Sequence, residues 1–396
     1  MGGRKVGSAL ESQSKLVAVI TSLMEGKTIK EGVKEAEEAL FNYSKITPFE
    51  RSVMRRIIPF YCVPDDTEIL TRDGWKVREQ LHIGEEVLTY NVDKDINEWQ
   101  KVNEIAVFDY DDDLMTLANK RGVKFRFTDD HRFPVEVTKS FVKGKEYGGD
   151  RKIIRAHELN SSHKLMLAKQ SDLPKQSILS ETDAAILGWL VTDGYFRWKG
   201  NHFEAMLYQS EKKYAEEIRF EFADYISSES VHPNTGVVCF RLKTSSLDNI
   251  KKYFKSKDDL PSIVTRLDET SLRAMISAMM MAEGHETPTG GNGFTQKLGG
   301  VMDAFQIGCQ LLGISFNINK PRNGCSAGYM RMQKHLCVKD AEIGKEHYKG
   351  KIWCPNTDNS TWVMRQNGKV VITGNTFARK NFELQLKTLA TKPGRS

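Results

Sequence analysis

Apolar residues recur at three- and four-residue spacing at Leu16, Val19, Ile20 and Leu23, and again at Val33, Ala36 and Leu40, which predicts helix within residues 1–61. From Cys62 the texture changes. Short β-runs, Thr67 to Leu70, Glu86 to Tyr90 and Val123 to Thr128, alternate with Asp, Gly and Asn turn signals, so residues 62–172 read as an all-β module. The Ser171 to Ser177 stretch reads as a linker into a mixed α/β region, residues 173–335. Within it a helix, two strand-like runs and a further helix appear, and the same order returns, beginning near Ser180 and near Asp268. That predicts a pseudo-twofold pair of αββα units. β texture resumes across residues 336–375 (KGKIWCPNT, TWVMRQNG, KVVITGN), and residues 376–396 are helix-like and basic. The order is therefore a β module split by an α/β insertion and itself interrupting a helical sequence.

At 396 residues the chain is too long for one core, and roughly 150 residues per domain gives two or three. Mean hydropathy is −0.47, no apolar run approaches the roughly 20 residues of a membrane span, and the N-terminus lacks the apolar core of a signal peptide. A soluble cytoplasmic monomer is the expectation. The six cysteines (Cys62, Cys239, Cys309, Cys325, Cys337, Cys354) form no C-x-x-C pair, which argues against a disulfide framework or zinc ribbon and for reduced thiols. A net charge of +6 is compatible with nucleic-acid binding and equally with a solvated basic surface.

Four separated pieces carry chemistry: CVPDDTEILTRDGW with GEEVLTYN, then FTDDHRFPV, then IWCPNTDNSTWVMRQNGK, and finally VITGNT. Singly each is ordinary, because a Cys before Val-Pro is commonly a small buried hydrophobe and Gly-Asn after a strand is commonly a turn. Together, in this order, they resemble the intein family, whose splicing domain has the Hint fold. The resemblance spans Cys62 to Asn375 and leaves 1–61 and 376–396 as extein segments, whose texture suggests a phage-like host protein.

The resemblance implies autocatalytic protein splicing without a cofactor. Cys62 would attack the Tyr61 carbonyl to give a thioester, a covalent step that divides a hard cleavage into easier ones. His131 would protonate the leaving amide nitrogen while Thr128 polarises the same bond. Thr376 would take the acyl group, Asn375 would cyclise, and Tyr61 would end joined to Thr376. Two departures stand out. Relatives commonly carry a His before the terminal Asn, whereas Gly374 stands here, and Cys354 occupies a position commonly Asp. A subclass of inteins uses that Cys as branching nucleophile, with a Trp two residues after the motif His and a Thr two before the last Asn. This chain has Cys354 and Thr373, but Phe133 in place of the Trp, and it keeps Cys62. Cys62 is therefore assigned the first step and Cys354 a helping or secondary nucleophilic role.

The insertion contains AAILGWLVTDGYF and AMISAMMMAEGHE, which resemble the paired helices of LAGLIDADG homing endonucleases. That likeness implies two helices in tight contact at Gly188 and Ala278, with Asp193 and Glu283 side by side at their ends holding Mg²⁺ against scissile phosphates. Lys257, four residues before Pro261, resembles the family's catalytic lysine. Aromatic and basic residues interleaved in YFRWKGNHFEAMLY and VVCFRLKTSS suit double-stranded DNA, here the intein-less allele of the host gene. The rival readings are an intein with a decayed endonuclease, a Hedgehog-type autoprocessing module, and a DNA-binding protein whose β regions are only structural.

Overall fold

The computed structural model describes residues 62–375 apart from 121, 143–144, 288–290 and 332, so the expected extein helices lie outside the described residues. The strands that open the fold include β1 (Val63–Pro64), β2 (Glu68–Thr71), β3 (Glu86–Asn91), β4 (Ile96–Lys101), β5 (Glu104–Ala118), β6 (Lys124–Phe127), β7 (Arg132–Val137), β8 (Arg151–Arg155) and β9 (His163–Met166). The insertion runs α1 (Glu181–Thr192), β10 (Gly194–Lys199), β11 (His202–Ser210), α2 (Ala215–Glu221), β12 (Ile226–Val231), β13 (Val237–Leu242), α3 (Asp248–Tyr253) and α4 (Leu260–Val264). It continues as α5 (Glu269–Glu283), β14 (Gly284–Glu286), β15 (Asn292–Gln296), α6 (Gly300–Leu311), β16 (Ser315–Ile318) and β17 (Ser326–Arg331). Four strands close the described chain: β18 (His335–Cys337), β19 (Glu342–Asn356), β20 (Thr361–Gln366) and β21 (Lys369–Gly374).

Strands from both halves of the split module share sheets. The orders are β1-β19-β5-β6, β8-β7-β9-β18 and β21-β20-β2-β3-β4. Because β18 pairs with β9, the chain re-enters this module by His335, a residue before the expected break. β5 and β19 pair through fifteen consecutive positions, Glu342 opposite Ala118 through Asn356 opposite Glu104. Lys349 to Asp111 (2.9 Å) and Lys351 to Asp109 (3.2 Å) bridge this exposed ribbon. A slip of one residue would exchange the faces of every side chain along it.

The insertion holds two sheets of the same order, β10-β11-β13-β12 and β14-β15-β17-β16. Each repeat is therefore αββαββ, two strands richer than the αββα expectation. The missed strands are partly polar: in β12, Ser227 to Val231 are exposed and show no apolar alternation. α1 and α5 begin where side chains cap them, Ser180 accepting from the Asp183 N–H and Asp268 from the Ser271 N–H. The two helices pack closely because Gly188 allows it; a Cβ there would lie 2.6 Å from the Met275 carbonyl oxygen and 2.9 Å from Ala278 Cβ.

Two apolar cores result. One, including Val63, Trp353, Trp362, Met364 and Val371, is built from the β module. The other joins Leu70, Leu88, Val363, Val370 and Ile372 of that module to the interior of the insertion. The insertion is thus packed against the β module rather than tethered beside it. Alternate residues of β20 and β21 enter opposite cores, so all twelve residues of this hairpin are buried. Among the described residues no helix is long and apolar enough to cross a membrane.

Candidate functional site

β1 lies antiparallel to the end of β19 with Val63 opposite Trp353. Cys62 precedes that pair and Cys354 follows it, so the same register, if continued by one residue beyond the last paired position, would set the two cysteines opposite each other. Directly opposed residues of an antiparallel pair lie about 4.5–5.5 Å apart at Cα and share a face. Both are buried, at 1 % and 2 % exposure.

The Cys62 backbone nitrogen donates to Thr128 Oγ1 at 3.0 Å, and the Cys62 carbonyl accepts from the Thr128 hydroxyl at 3.3 Å and from the Thr128 backbone N–H at 3.0 Å. Thr128 sits in the tight turn between β6 and β7, closed by the His131 N–H donating to the Thr128 carbonyl at 3.0 Å. That turn delivers His131, fully buried, between two aromatic rings: Phe127 stacks at 5.8 Å and Phe133 packs edge-on at 5.0 Å. Phe133 braces the imidazole at the place where the subclass has Trp.

His131 Nε2 lies 2.5 Å from Thr373 Oγ1 on β21, and the Thr373 hydroxyl donates to the Arg132 carbonyl at 3.3 Å. The roles in the short His131–Thr373 contact follow the imidazole tautomer, since a hydroxyl can both donate and accept. Two residues on, buried Asn375 is fixed at both ends: its backbone N–H donates to the Ser360 carbonyl at 2.9 Å and its side-chain amide donates to Thr357 Oγ1 at 3.1 Å. The Thr357 hydroxyl in turn donates to the Thr361 carbonyl at 2.8 Å. Sequence reading missed Thr357 and Ser360, because nothing in TDNS marks them as partners of a residue far along the chain.

The absence of a histidine at position 374 has a steric reason. A Cβ on Gly374 would lie 2.6 Å from Arg132 Cβ and 2.8 Å from the Arg132 carbonyl oxygen, so the β7 backbone leaves no room for a side chain. The closeness that excludes a larger residue is what brings Thr373 to His131. Tyr61 and Thr376 lie outside the described residues.

In the insertion, Asp193 caps α1 and Glu283 ends α5, so the close helix pair brings both carboxyls to one end. Burial, with the Glu283 charge beside it, pushes Asp193 up to about 6. Gln209 Nε2 donates to Asp193 Oδ2 at 3.4 Å. Lys257 joins them: its ammonium donates to the Val191 carbonyl at 2.8 Å, and loss of water holds it below an ordinary lysine, partly offset by Glu283. Among the described residues no group of three or more His, Cys, Asp and Glu is placed to hold a metal ion. Two carboxylates nevertheless fit Mg²⁺, which keeps several waters and completes its shell with substrate phosphates. On β10 the outward positions are Tyr195, Arg197 and Lys199, while Phe196 and Trp198 turn inward.

No family model and no curated protein matches the chain. Among solved structures it is similar to "AceL NrdHF class 3 split intein GSH linked splice inactive variant", at 7 % identity and TM-score 0.33, covering 80 % of this chain and 100 % of that one. It is also similar to the homing endonuclease I-DmoI in complex with DNA and Mn, at 16 % identity and TM-score 0.30, over 38 % of this chain and 90 % of that one. A third similarity, to the N-terminal LAGLIDADG domain of DUF199/WhiA, has 10 % identity and TM-score 0.28, over 41 % of this chain and 82 % of that one.

Proposed function

We propose that the chain is an intein precursor that excises Cys62 to Asn375 and joins Tyr61 to Thr376. The observation that supports this reading is the line of contacts from Cys62 through Thr128 and His131 to Thr373, which stands two residues before Asn375 in the chain. The nitrogen that would leave when the Tyr61–Cys62 bond breaks is the one that donates to Thr128. Cys62 Sγ attacks the Tyr61 carbonyl and gives up its proton, the C–N bond breaks, and His131 delivers a proton to the departing amine, the thiol proton restoring the imidazole so that one hydrogen passes from sulfur to nitrogen overall. Cys354, opposite Cys62, can receive the acyl group as a second thioester. The Thr376 hydroxyl takes the acyl group as an ester and returns a thiol. Asn375 Nδ2, held by Thr357, then attacks its own backbone carbonyl, closing a succinimide and freeing the Thr376 amine. That amine attacks the ester to form the new peptide bond.

Mass spectrometry of the freshly expressed chain tests this: one excised and one ligated species are expected, and intact precursor alone would sink the reading. The Cys62→Ala plus Asn375→Ala double variant should stay full length. Asn375→Ala alone should stall as branched precursor or as N-terminal cleavage product.

The insertion reads as a double-strand DNA endonuclease. Asp193 and Glu283 would hold Mg²⁺, which when bound activates water and neutralises charge at the phosphate. Gln209 orients Asp193, and Lys257 sets a cation beside the pair. Arg197 and Lys199 offer phosphate contacts along the outward face of β10. Asp193→Asn or Glu283→Gln should abolish metal-dependent cleavage of the empty host allele. Cleavage surviving both would remove the pair from the role.

A further inference from the structure

The turn of the β20–β21 hairpin is held from the insertion. Asn367 and Gly368 form it with φ of 50° and 74°, the conformation a tight two-residue turn requires. The Gly368 carbonyl accepts from Gln306 Nε2 at 3.0 Å and from the Ile318 N–H at 3.0 Å. A Cβ on Gly368 would stand 2.9 Å from the Ile318 carbonyl oxygen, so backbone meets backbone here. The adjacent Lys369 ammonium donates to the Ile318 carbonyl at 2.9 Å and to Asn319 Oδ1 at 2.7 Å. Burial pushes this lysine down to about 8.

A second tie lies on β20. Arg365 grips both carboxylate oxygens of Glu68 at 2.6 and 2.5 Å, and its remaining nitrogen donates to Asp303 at 2.5 Å and to Gln306 Oε1 at 3.1 Å. The guanidinium also lies over the Trp75 ring at 4.7 Å. Glu68 belongs to β2 and Asp303 and Gln306 to α6, so one bidentate cation joins the splicing sheet to the insertion. The faces agree with this. Val363, Val370 and Ile372 enter the core shared with the insertion, while Trp362, Met364 and Val371 enter the other. Thr373, two residues beyond Val371, continues the second face toward His131.

Resting on the splicing reading above, we infer that the insertion is a positioning element of the splicing centre: α6 and β16 clamp the turn and back of the β20–β21 hairpin and so set Asn375 beyond its far end, while Thr373 is held in addition by His131 and the Arg132 carbonyl. Four residues of strand, about 13 Å, separate Lys369 from Thr373, short enough for a tilt at the turn to be felt at the site. Cys62, Thr128 and His131 come from β1 and the β6–β7 turn, whose core holds no residue of the insertion's helices. The clamp therefore acts on the last steps more than on the first. Positioning Asn375 is demanding, since a displacement of 1 Å in a reacting group can cost roughly a hundredfold.

The test uses the full chain with Gln306→Ala, Asp303→Ala and Asp303→Glu. Two rates are followed by mass spectrometry: release of residues 1–61 by added thiol, and release of the fragment beginning at Thr376. Both alanine variants should slow the second release by about tenfold or more and the first by no more than about twofold, with Asp303→Glu recovering much of the loss. Unchanged rates in both alanine variants would overturn the clamp and leave splicing standing. Equal loss of both releases, with a lowered unfolding transition, would reduce these contacts to general stability and also overturn it. If the wild-type chain releases neither fragment, the splicing reading fails and the clamp falls with it.

Discussion

Oxidising the precursor should join Cys62 to Cys354 and stop splicing. Opposed positions about 4.5–5.5 Å apart at Cα fall inside the 4.4–6.8 Å that disulfides span, and the two side chains share a face. With oxidised glutathione, two thiols lose two electrons and two protons, one S–S bond forms, and the oxidant leaves as two thiols. The new bond would close a loop of roughly 290 residues, for which the chain-entropy relation gives about 5–6 kcal/mol, an upper figure because strain subtracts from it. The functional consequence is larger than the thermodynamic one, since Cys62 loses its nucleophile altogether. Non-reducing gels and alkylation mass spectrometry would read the bond: oxidised precursor should lack two alkylatable thiols, and reductant should restore both the thiols and splicing. Cys354→Ser should abolish the oxidant's effect. If both cysteines stay alkylatable in oxidised wild type, or if Cys354→Ser is inhibited equally, the opposed geometry is refuted.

Three further outcomes follow from the same contacts. Thr373→Val removes the hydroxyl paired with His131 Nε2, so N-terminal cleavage should slow by roughly ten- to a hundredfold, matching the 1–3 kcal/mol of an unmet buried hydrogen bond, and Thr373→Ser should restore it. Asp193 has a native pKa raised to about 6, so the folded state holds its proton more tightly and stability falls as pH climbs from about 4 to 6. Because the carboxyl is only half-buried, the change should be about 1–2 kcal/mol, and urea titrations of metal-free Asp193→Asn should lack it. Gly188→Ala forces a methyl against the Met275 carbonyl and Ala278, which should cost about 1–3 kcal/mol by denaturant midpoint; an unchanged midpoint would mean the helices lie farther apart.

The residues at element ends were the legible ones. Cys62, the Thr128–His131 pair and Asn375 stand out as candidates because the proposed chemistry needs those residue types, and the repeats' starts near Ser180 and Asp268 coincide with the residues that cap α1 and α5. What stayed hidden depends on contacts between distant positions. Thr357 holding Asn375 leaves no local pattern, and Gly374 reads as a missing histidine until the Arg132 backbone is seen against it. Gln306 sits on an ordinary amphipathic helix, and only the fold turns it toward Gly368. The strands of KVVITG and TWVMRQ read as generic buried β, since a strand covered on both sides shows no alternation from which to infer a second covering layer.

His131 and Thr373 meet across 242 residues of sequence. At 5–20 residues per second a ribosome takes roughly 10–50 s to travel between them. During that interval Cys62, Thr128 and His131 already exist while Thr373 and Asn375 do not, so on the splicing reading proposed above the centre is timed by synthesis itself: it is completed only when β21 has left the exit tunnel and inserted between two formed layers. Non-local strand insertion of this kind is slow. On that reading the same separation would keep the nascent chain from cutting itself at the first junction before a second junction exists to receive the acyl group.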